Sequence, residues 1–413
     1  MTTLKTLKKE RVVIIGAGAA GLMAAGSIQY CDITVLDGNE KAGKKIYITG
    51  KGRCNVTNDC TPAEFFNSVV TNPKFLFSCI YGFTPQDTKE LLDSFGVPTK
   101  TERGNRVFPV SDKSSDVIKA LYGRAQKNGA KFRFNEKATC IERERGGFRV
   151  HTELGEYPCE KLLLATGGKS YPATGSTGDG YCFAKSLGHT IIEPKPSLVP
   201  LLIKQDVSPL AGLTLKNVSV TVKAQKKAFK QFGELLFTHR GVSGPTVLSL
   251  SAYIAKLSYP AELCIDLKPA LDFETLDKRI VKDFSEASNK QLKNALGKLL
   301  PCAIIPYVIE QSKLSANRKV NEITKEERQA FVYAVKNLRF DVSGAEQFEN
   351  AVVTSGGVSV KEIEPRTMES RIIKNLYFAG EVIDVDALTG GYNLQIAFAT
   401  AHAAAKAISA ELA

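Results

Sequence analysis

The sequence predicts an α/β fold on three observations. Val12, Val13, Ile14 and Ile15 form a β-branched run that breaks into Gly16-x-Gly18-x-x-Gly21 and then a stretch rich in helix formers. A second apolar run, Ile33–Leu36, ends in Asp37, twenty-one residues after Gly16. Two later segments, LLLATGG at 162–168 and NLYFAGEVID at 375–384, are apolar strands that break into small residues.

The first two observations define one unit, strand, glycines, helix, strand and acid, in the order of a Rossmann-like dinucleotide fold. Gly16 makes the tight turn, Gly18 admits a pyrophosphate to the backbone, and Gly21 lets helix and strand pack closely. The amides of the first helical turn, at Ala19 and Ala20, face the phosphates with the positive end of the helix dipole. Asp37, followed by Gly38, is placed to accept from the adenosine ribose hydroxyls.

FAD and NAD share this unit, and the third observation favours FAD. Thr166, Gly167, Gly168 and then Gly380, Glu381 are similar to the two later contact segments of FAD-binding folds. TGGYNLQIAFATAHAAAKAI then runs from Gly390 and Gly391 into an alanine-rich helix. A helix N-terminus aimed at the flavin N1 and C2 carbonyl would stabilise the reduced ring, with Asn393 and Gln395 as additional donors. The alternative is a glycine-capped packing helix.

The 413 residues, 43% hydrophobic and 24% charged, are enough for two or three domains of an ordinary globular protein. Val12–Cys31 carries no charge and follows Lys8, Lys9 and Arg11, as a signal peptide or membrane span would, but its Gly and Ala content and glycine spacing argue against both. Nine scattered cysteines with no C-x-x-C pair suggest neither a disulfide framework nor a zinc ribbon, and a reducing cytoplasm is expected. H-E-x-x-H, EF-hand, Walker A and G-x-S-x-G patterns are missing, so metal hydrolysis, phosphoryl transfer and serine chemistry have no support. The net charge of +12 favours anionic partners, yet the cations are spread apart from clusters at Lys41–Arg53 and Lys223–Lys230.

GKGRCNVTN at 50–58 invites two readings. Cys54 and Cys60 could imitate a flavin-linked redox disulfide, but C-x5-C is one residue longer than the usual pair. The favoured reading is a loop that cradles flavin, in which Arg53 and Lys45 neutralise pyrophosphate while Asn55 and Thr57 hydrogen-bond cofactor or backbone. His239 in FTHRGVSGP is either a general acid or substrate ligand, or a structural histidine; His151, His189 and His402 lack matching partners.

GAGAAGL, GKGRCNVTN, LLLATGG, GELLFTHRGVSGP at 233–245 and FAGEVIDVDALTGGYNLQIAFATA at 378–401 together resemble the BaiN-like and aminoacetone-oxidase-like family of bacterial FAD-dependent oxidoreductases. The likeness spans residues 11 to about 405. It implies an FAD-binding domain formed by both chain ends, 1–192 and 341–413, interrupted by an insert at 193–340 that covers the isoalloxazine ring and selects a substrate. The residues agree: LVPLLI, NVSVTVKA and QFGELLFTH read as short strands of a β-barrel-like module, and 274–335 as a helical cluster.

The expected cofactor contacts are Gly16, Gly18, Ala19, Ala20, Gly21, Asp37, Gly38, Lys45, Arg53, Cys54, Asn55, Ala138, Thr166, Gly167, Gly168, Gly380, Glu381, Gly391, Asn393 and Leu394. No metal site and no catalytic acid or base is assigned. The expected activity is hydride transfer between flavin N5 and a small organic substrate, with NADH or NADPH bound transiently in the same cleft or dispensable. The alternatives are an RNA-associated flavoprotein, resting on net charge and the Lys223–Lys230 hairpin, and a flavin-holding redox sensor.

Overall fold

The computed structural model describes residues 9–257 and 259–410; Lys8 of the cationic run lies outside the described residues. Arg11–Ile15 (β1) is the middle strand of a five-stranded parallel sheet ordered Leu376–Phe378, Lys161–Leu164, β1, Asp32–Leu36 (β2), Lys131–Arg133. Its neighbours are in register from Arg11 opposite Asp32 to Ile15 opposite Leu36, and from Val12 opposite Lys161 to Ile15 opposite Leu164. Parallel strands covered on both faces need apolar side chains throughout, which is why VVII and LLL carry no polar alternation. Lys161 is the exception, and its buried ammonium donates to the Ile408 carbonyl at 3.0 Å.

Ala19–Ser27 (α1) follows β1 directly and is buried on nearly every side. It packs between the helices Ser114–Lys127 and Tyr392–Ala410. That double contact requires small residues: a Cβ at Gly380 would lie 2.9 Å from Ala20 Cβ, and one at Gly21 would lie 1.8 Å from the Gly16 carbonyl oxygen. Two smaller antiparallel sheets, formed by Thr57–Asn58, Arg106–Pro109 and Thr99–Glu102, and by the 138–159 meander, complete the N-terminal part.

The chain separates into two units, one joining the chain up to Ser197 with that from Phe348, the other spanning Leu198–Gln347. The second starts five residues later and ends seven residues later than the insert expected from sequence. Ile191–Ser197 stays with the first unit because it pairs with Val353–Val358. Leu338–Ala345 joins the second because Leu338, Phe340 and Val342 point into its core and the strand closes the barrel.

That barrel is antiparallel and six-stranded: Leu201–Ile203, Gly241–Ser243, Lys227–Phe237, Thr214–Ala224, Ala261–Asp266 and Leu338–Ala345, closing on the first. The expected helical cluster is observed as Phe273–Glu286, Leu292–Ala295, Ile305–Gln311 and Lys325–Lys336. The chain is thus the α/β, Rossmann-like fold with a β-barrel insert that the sequence predicts.

Gly21→Ala should lower the melting temperature of cofactor-free protein by about 5 °C, because the methyl collides with backbone at a cost of about 2 kcal/mol. Gly18→Ala should leave it within about 1 °C, since nothing lies within 4 Å of the added carbon. Calorimetry of both variants checks the contrast, and equal melting would refute it.

Candidate functional site

The loop from β1 to α1 is set by Gly16, whose φ of +108° and whose approach to the Ala165 carbonyl oxygen, 2.4 Å from a would-be Cβ, exclude any side chain. Its amide donates to the Leu36 carbonyl at 2.8 Å, tying the turn to the end of β2. There Asp37 Oδ2 accepts from the Ala17 amide at 2.7 Å, and Oδ1 accepts from Asn39 N and Nδ2, both at 2.8 Å. Four donors' worth of carboxylate capacity therefore retains one position for an outside hydroxyl. Gly38 packs on Lys137, 3.2 Å from its would-be Cβ, which brings buried Ala138 to the same end of the sheet.

Thr166, Gly167 and Gly168 leave the end of Lys161–Leu164, and Gly380 and Glu381 leave the end of Leu376–Phe378. A polar network joins them. Lys45 Nζ donates to Ser170 Oγ and to Glu381 Oε2, each at 2.6 Å. Glu381 Oε1 accepts from Ser170 Oγ and from the Thr354 amide, each at 2.8 Å. Gly168 fits under this network because a Cβ there would meet Thr354 Oγ1 at 2.4 Å. Lys45 was expected at a pyrophosphate; here Glu381 holds it. Ser170 and Thr354 were not anticipated, since no spacing rule connects residues 184 positions apart.

GKGRCNVTN folds back on itself through four residues with positive φ, Gly50, Lys51, Gly52 and Cys54. Cys54 is fully buried, and burial pushes its thiol up to about 12; burial likewise pushes Cys60 up to about 11. Both are free thiols. Their neutral state at physiological pH is the opposite of what a redox pair needs. Arg53, expected at the pyrophosphate, is instead committed to Glu102 and to Asp112, with its Nε 2.8 Å from Asp112 Oδ1 and its guanidinium 4.2 Å above the Phe108 ring. Arg53 holds the Glu102 carboxyl below its usual range, and Lys100 with Arg53 does the same to Asp112. Asn55 Oδ1 is buried and has no hydrogen-bond partner.

The same loop docks the C-terminal helix. Thr57 and Thr88 hydroxyls both donate to Gln395 Oε1, at 2.7 and 2.6 Å, while Gln395 Nε2 donates to the Phe83 carbonyl at 2.9 Å. Gln395, expected as a flavin donor, is therefore consumed in a buried joint. Asn393 is likewise spent on the chain, with Oδ1 accepting from Ala387 N at 3.0 Å and Nδ2 donating to its carbonyl at 2.8 Å. Gly391, at φ +95°, has the Thr57 carbonyl oxygen 2.2 Å from its would-be Cβ; Leu394 packs half-buried on the core. Nearby, fully buried Asp386 accepts from Ser355 Oγ at 3.0 Å and Ser197 Oγ at 3.2 Å, a carboxylate that no sequence pattern singled out.

His189 is buried, its Nε2 2.9 Å from Ser370 Oγ and its pKa lowered by burial, which marks it as structural. His239 is exposed in a turn of the barrel unit beside Arg240. Among the described residues no group of His, Cys, Asp and Glu could hold a metal ion, and no helix is long and apolar enough to cross a membrane.

Residues 10–407 match the HI0933-like protein Rossmann domain. The chain belongs to the HI0933-like family. Members of this family are FAD-dependent Rossmann oxidoreductases, so the chain is a flavin oxidoreductase, as the sequence resemblance implied. It is similar to a ribosomal RNA dihydrouridine synthase of Haemophilus influenzae, 35% identical over 96% of this chain and 98% of that protein. It is also similar to the 3-dehydro-bile acid delta(4,6)-reductase of Clostridium scindens, 30% identical over 96% and 98% of the two chains. Among solved structures, the 3-ketosteroid delta1-dehydrogenase of Sterolibacterium denitrificans shares the fold at TM-score 0.50 and 11% identity, covering 98% of this chain and 100% of that one.

In this HI0933-like protein, serine at both Cys54 and Cys60 should leave flavin reduction within about two-fold of wild type, because neither thiol is ionised. Thiol titration under denaturing conditions before and after reduction should show no disulfide; one that exchanges electrons with FAD would contradict the assignment. Gln395→Leu should cost about 3 kcal/mol by leaving Thr57, Thr88 and the Phe83 carbonyl unpaired. Urea unfolding measures it, and a loss below about 1 kcal/mol would show that the joint is dispensable.

Proposed function

We propose that the first unit holds FAD across the ends of its parallel strands, and that the protein reduces a carbonyl-conjugated ring double bond, that of a uracil base in ribosomal RNA. Bound FAD supplies the electron pair as hydride. Three features of the chain suit this cofactor. The space at Gly18 is open in front of the α1 amides of Ala19, Ala20 and Gly21, where the helix dipole favours phosphate. Asp37 is oriented by Ala17 and Asn39 with acceptor capacity left for a ribose hydroxyl. The buried, unpaired Asn55 Oδ1 is an acceptor that a cofactor donor would satisfy.

Lys45, held by Glu381, keeps a cation beside these elements without leaving a buried charge unpaired. Gly390, Gly391 and the Asn393 and Leu394 amides at the start of the last helix are proposed to face the flavin as backbone donors. NADH or NADPH is the proposed transient electron source.

The relatives frame the substrate. A dihydrouridine synthase and a delta(4,6)-reductase both name saturation of a ring double bond, in a nucleobase and in a steroid. The observation that carries the choice of RNA is charge: the 150 residues Leu198–Gln347 hold 22 Lys and Arg against 15 Asp and Glu, more than half of the chain's excess. A polyanion is the partner such a unit attracts.

Incubating FAD-loaded protein with undermodified ribosomal RNA and NADH or NADPH should add two hydrogens to a uridine, read by nucleoside mass spectrometry. Turnover of a small conjugated enone with no change in any uridine would overturn the RNA reading. Separately, Gly391→Ala must displace the helix start from Thr57, and the reduction potential of bound FAD should fall by about 20 mV, the equivalent of about 1 kcal/mol for two electrons. An unchanged potential with a displaced helix would show that this segment only packs.

A further inference from the structure

The hairpin Thr214–Ala224 and Lys227–Phe237 carries a side-chain set that the flavin site does not use. Gln225 and Lys226 form its tip. Strand alternation sends Val218, Val220 and Val222 inward and leaves Ser219, Thr221 and Lys223 on the outer face, opposite Phe232, Lys230 and Ala228. On that face Phe232 is 62% exposed and has no ring partner among the described residues, unlike Phe229 on the inner face, which stacks on Tyr253 at 5.0 Å.

The charges are unbalanced as well. Lys216, Lys226, Lys227 and Lys230 are exposed and have no carboxylate partner among the described residues. The acids on the adjoining strand are already taken: Glu262 by Lys223 at 3.1 Å, Asp266 by Lys336 at 2.7 Å. Glu234 is the one exposed carboxylate on the same strand as Phe232. Ser219, the cross-strand partner of Phe232, has a buried hydroxyl with no hydrogen-bond partner. An exposed aromatic ring flanked by unpaired cations combines the two groups that single-stranded nucleic acid uses, a face for stacking and charge for phosphate.

We propose that this outer face binds single-stranded RNA, with Phe232 as a stacking platform for a base and Lys230 and the tip residue Lys226 on the phosphates. Lys230 lies two residues from Phe232 on the same face, and Lys226 at the tip lies six residues from it, about 20 Å along the hairpin, which matches a short oligonucleotide track. Planar bases fit the aromatic face and repeated phosphates fit the lysine row; an acidic peptide would use only the second. The inference deepens the RNA reading above and rests on it for the choice of partner.

The test uses FAD-loaded wild type, Phe232→Ser, and Lys226→Ser with Lys230→Ser combined, with a fluorescein-labelled oligouridine of about twelve nucleotides. Phe232→Ser should weaken binding about 5- to 150-fold. The double variant should reduce the slope of log affinity against log salt by about 1.4, for two lost phosphate contacts. Flavin spectrum and reduction should be unchanged in both, since neither set of residues belongs to the unit that carries the FAD elements. Slopes and affinities equal to wild type would overturn the surface, as would binding of the wild type to phosphatidylglycerol vesicles or polyglutamate as tight as to RNA and as sensitive to Phe232→Ser.

Ribosomal RNA from the source organism lacking the gene separates this from the function. If a dihydrouridine disappears and all variants restore it fully, the surface is wrong and the function stands. If no dihydrouridine disappears but purified protein binds RNA through the hairpin, the surface stands and the function does not.

Discussion

The contact between Gly391 and the Thr57 backbone is the constraint on which the first unit depends. It brings the loop after β2 and the last helix, 334 residues apart in sequence, to a distance that no side chain at Gly391 would permit. Gln395 then seals the approach from one turn further along, its Oε1 accepting from Thr57 and Thr88 and its Nε2 donating to the Phe83 carbonyl. Because that joint is buried and hydrogen-bonded on both its oxygen and its nitrogen, each partner is costly to lose, and the two chain ends behave as one scaffold.

Glycine does comparable work elsewhere in the same unit, for different reasons. Gly16 is needed for its positive φ and its approach to Ala165, Gly21 for contact with Gly16, and Gly380 for contact with Ala20. Of the three motif glycines only Gly18 faces open space, and it is the position that a pyrophosphate fold leaves free for its ligand. A pattern of spacing thus separates, in three dimensions, into glycines that pack and one that yields room.

Much of this was legible in the sequence because it depends on local rules. Period, β-branching and glycine spacing fixed β1, α1 and β2, and the alternation in NVSVTVKA marked a barrel strand. The roles of individual polar residues were not legible. Arg53 looked like a phosphate ligand until Glu102, in a strand some fifty residues on, and Asp112, just past that strand's partner, reached it. Gln395 and Asn393 looked like flavin donors, and both are occupied by neighbours in the fold. Side-chain hydrogen bonds are short and directional, so the partner is decided by tertiary placement, which spacing does not encode. The opening of GKGRCNVTN resolves in the same way: its cysteine is a buried filler at positive φ, and its asparagine is the group left asking for a donor.

The central claim is that both chain ends build one flavin site, with the α1 amides and Asn55 as its fixed points. A diffraction structure of the FAD-loaded protein tests it most directly. The account predicts the pyrophosphate within about 3 Å of the amides that follow Gly18, and a cofactor donor within the same distance of Asn55 Oδ1. FAD seated away from α1, or Asn55 Oδ1 still unpaired beside a bound flavin, would contradict it.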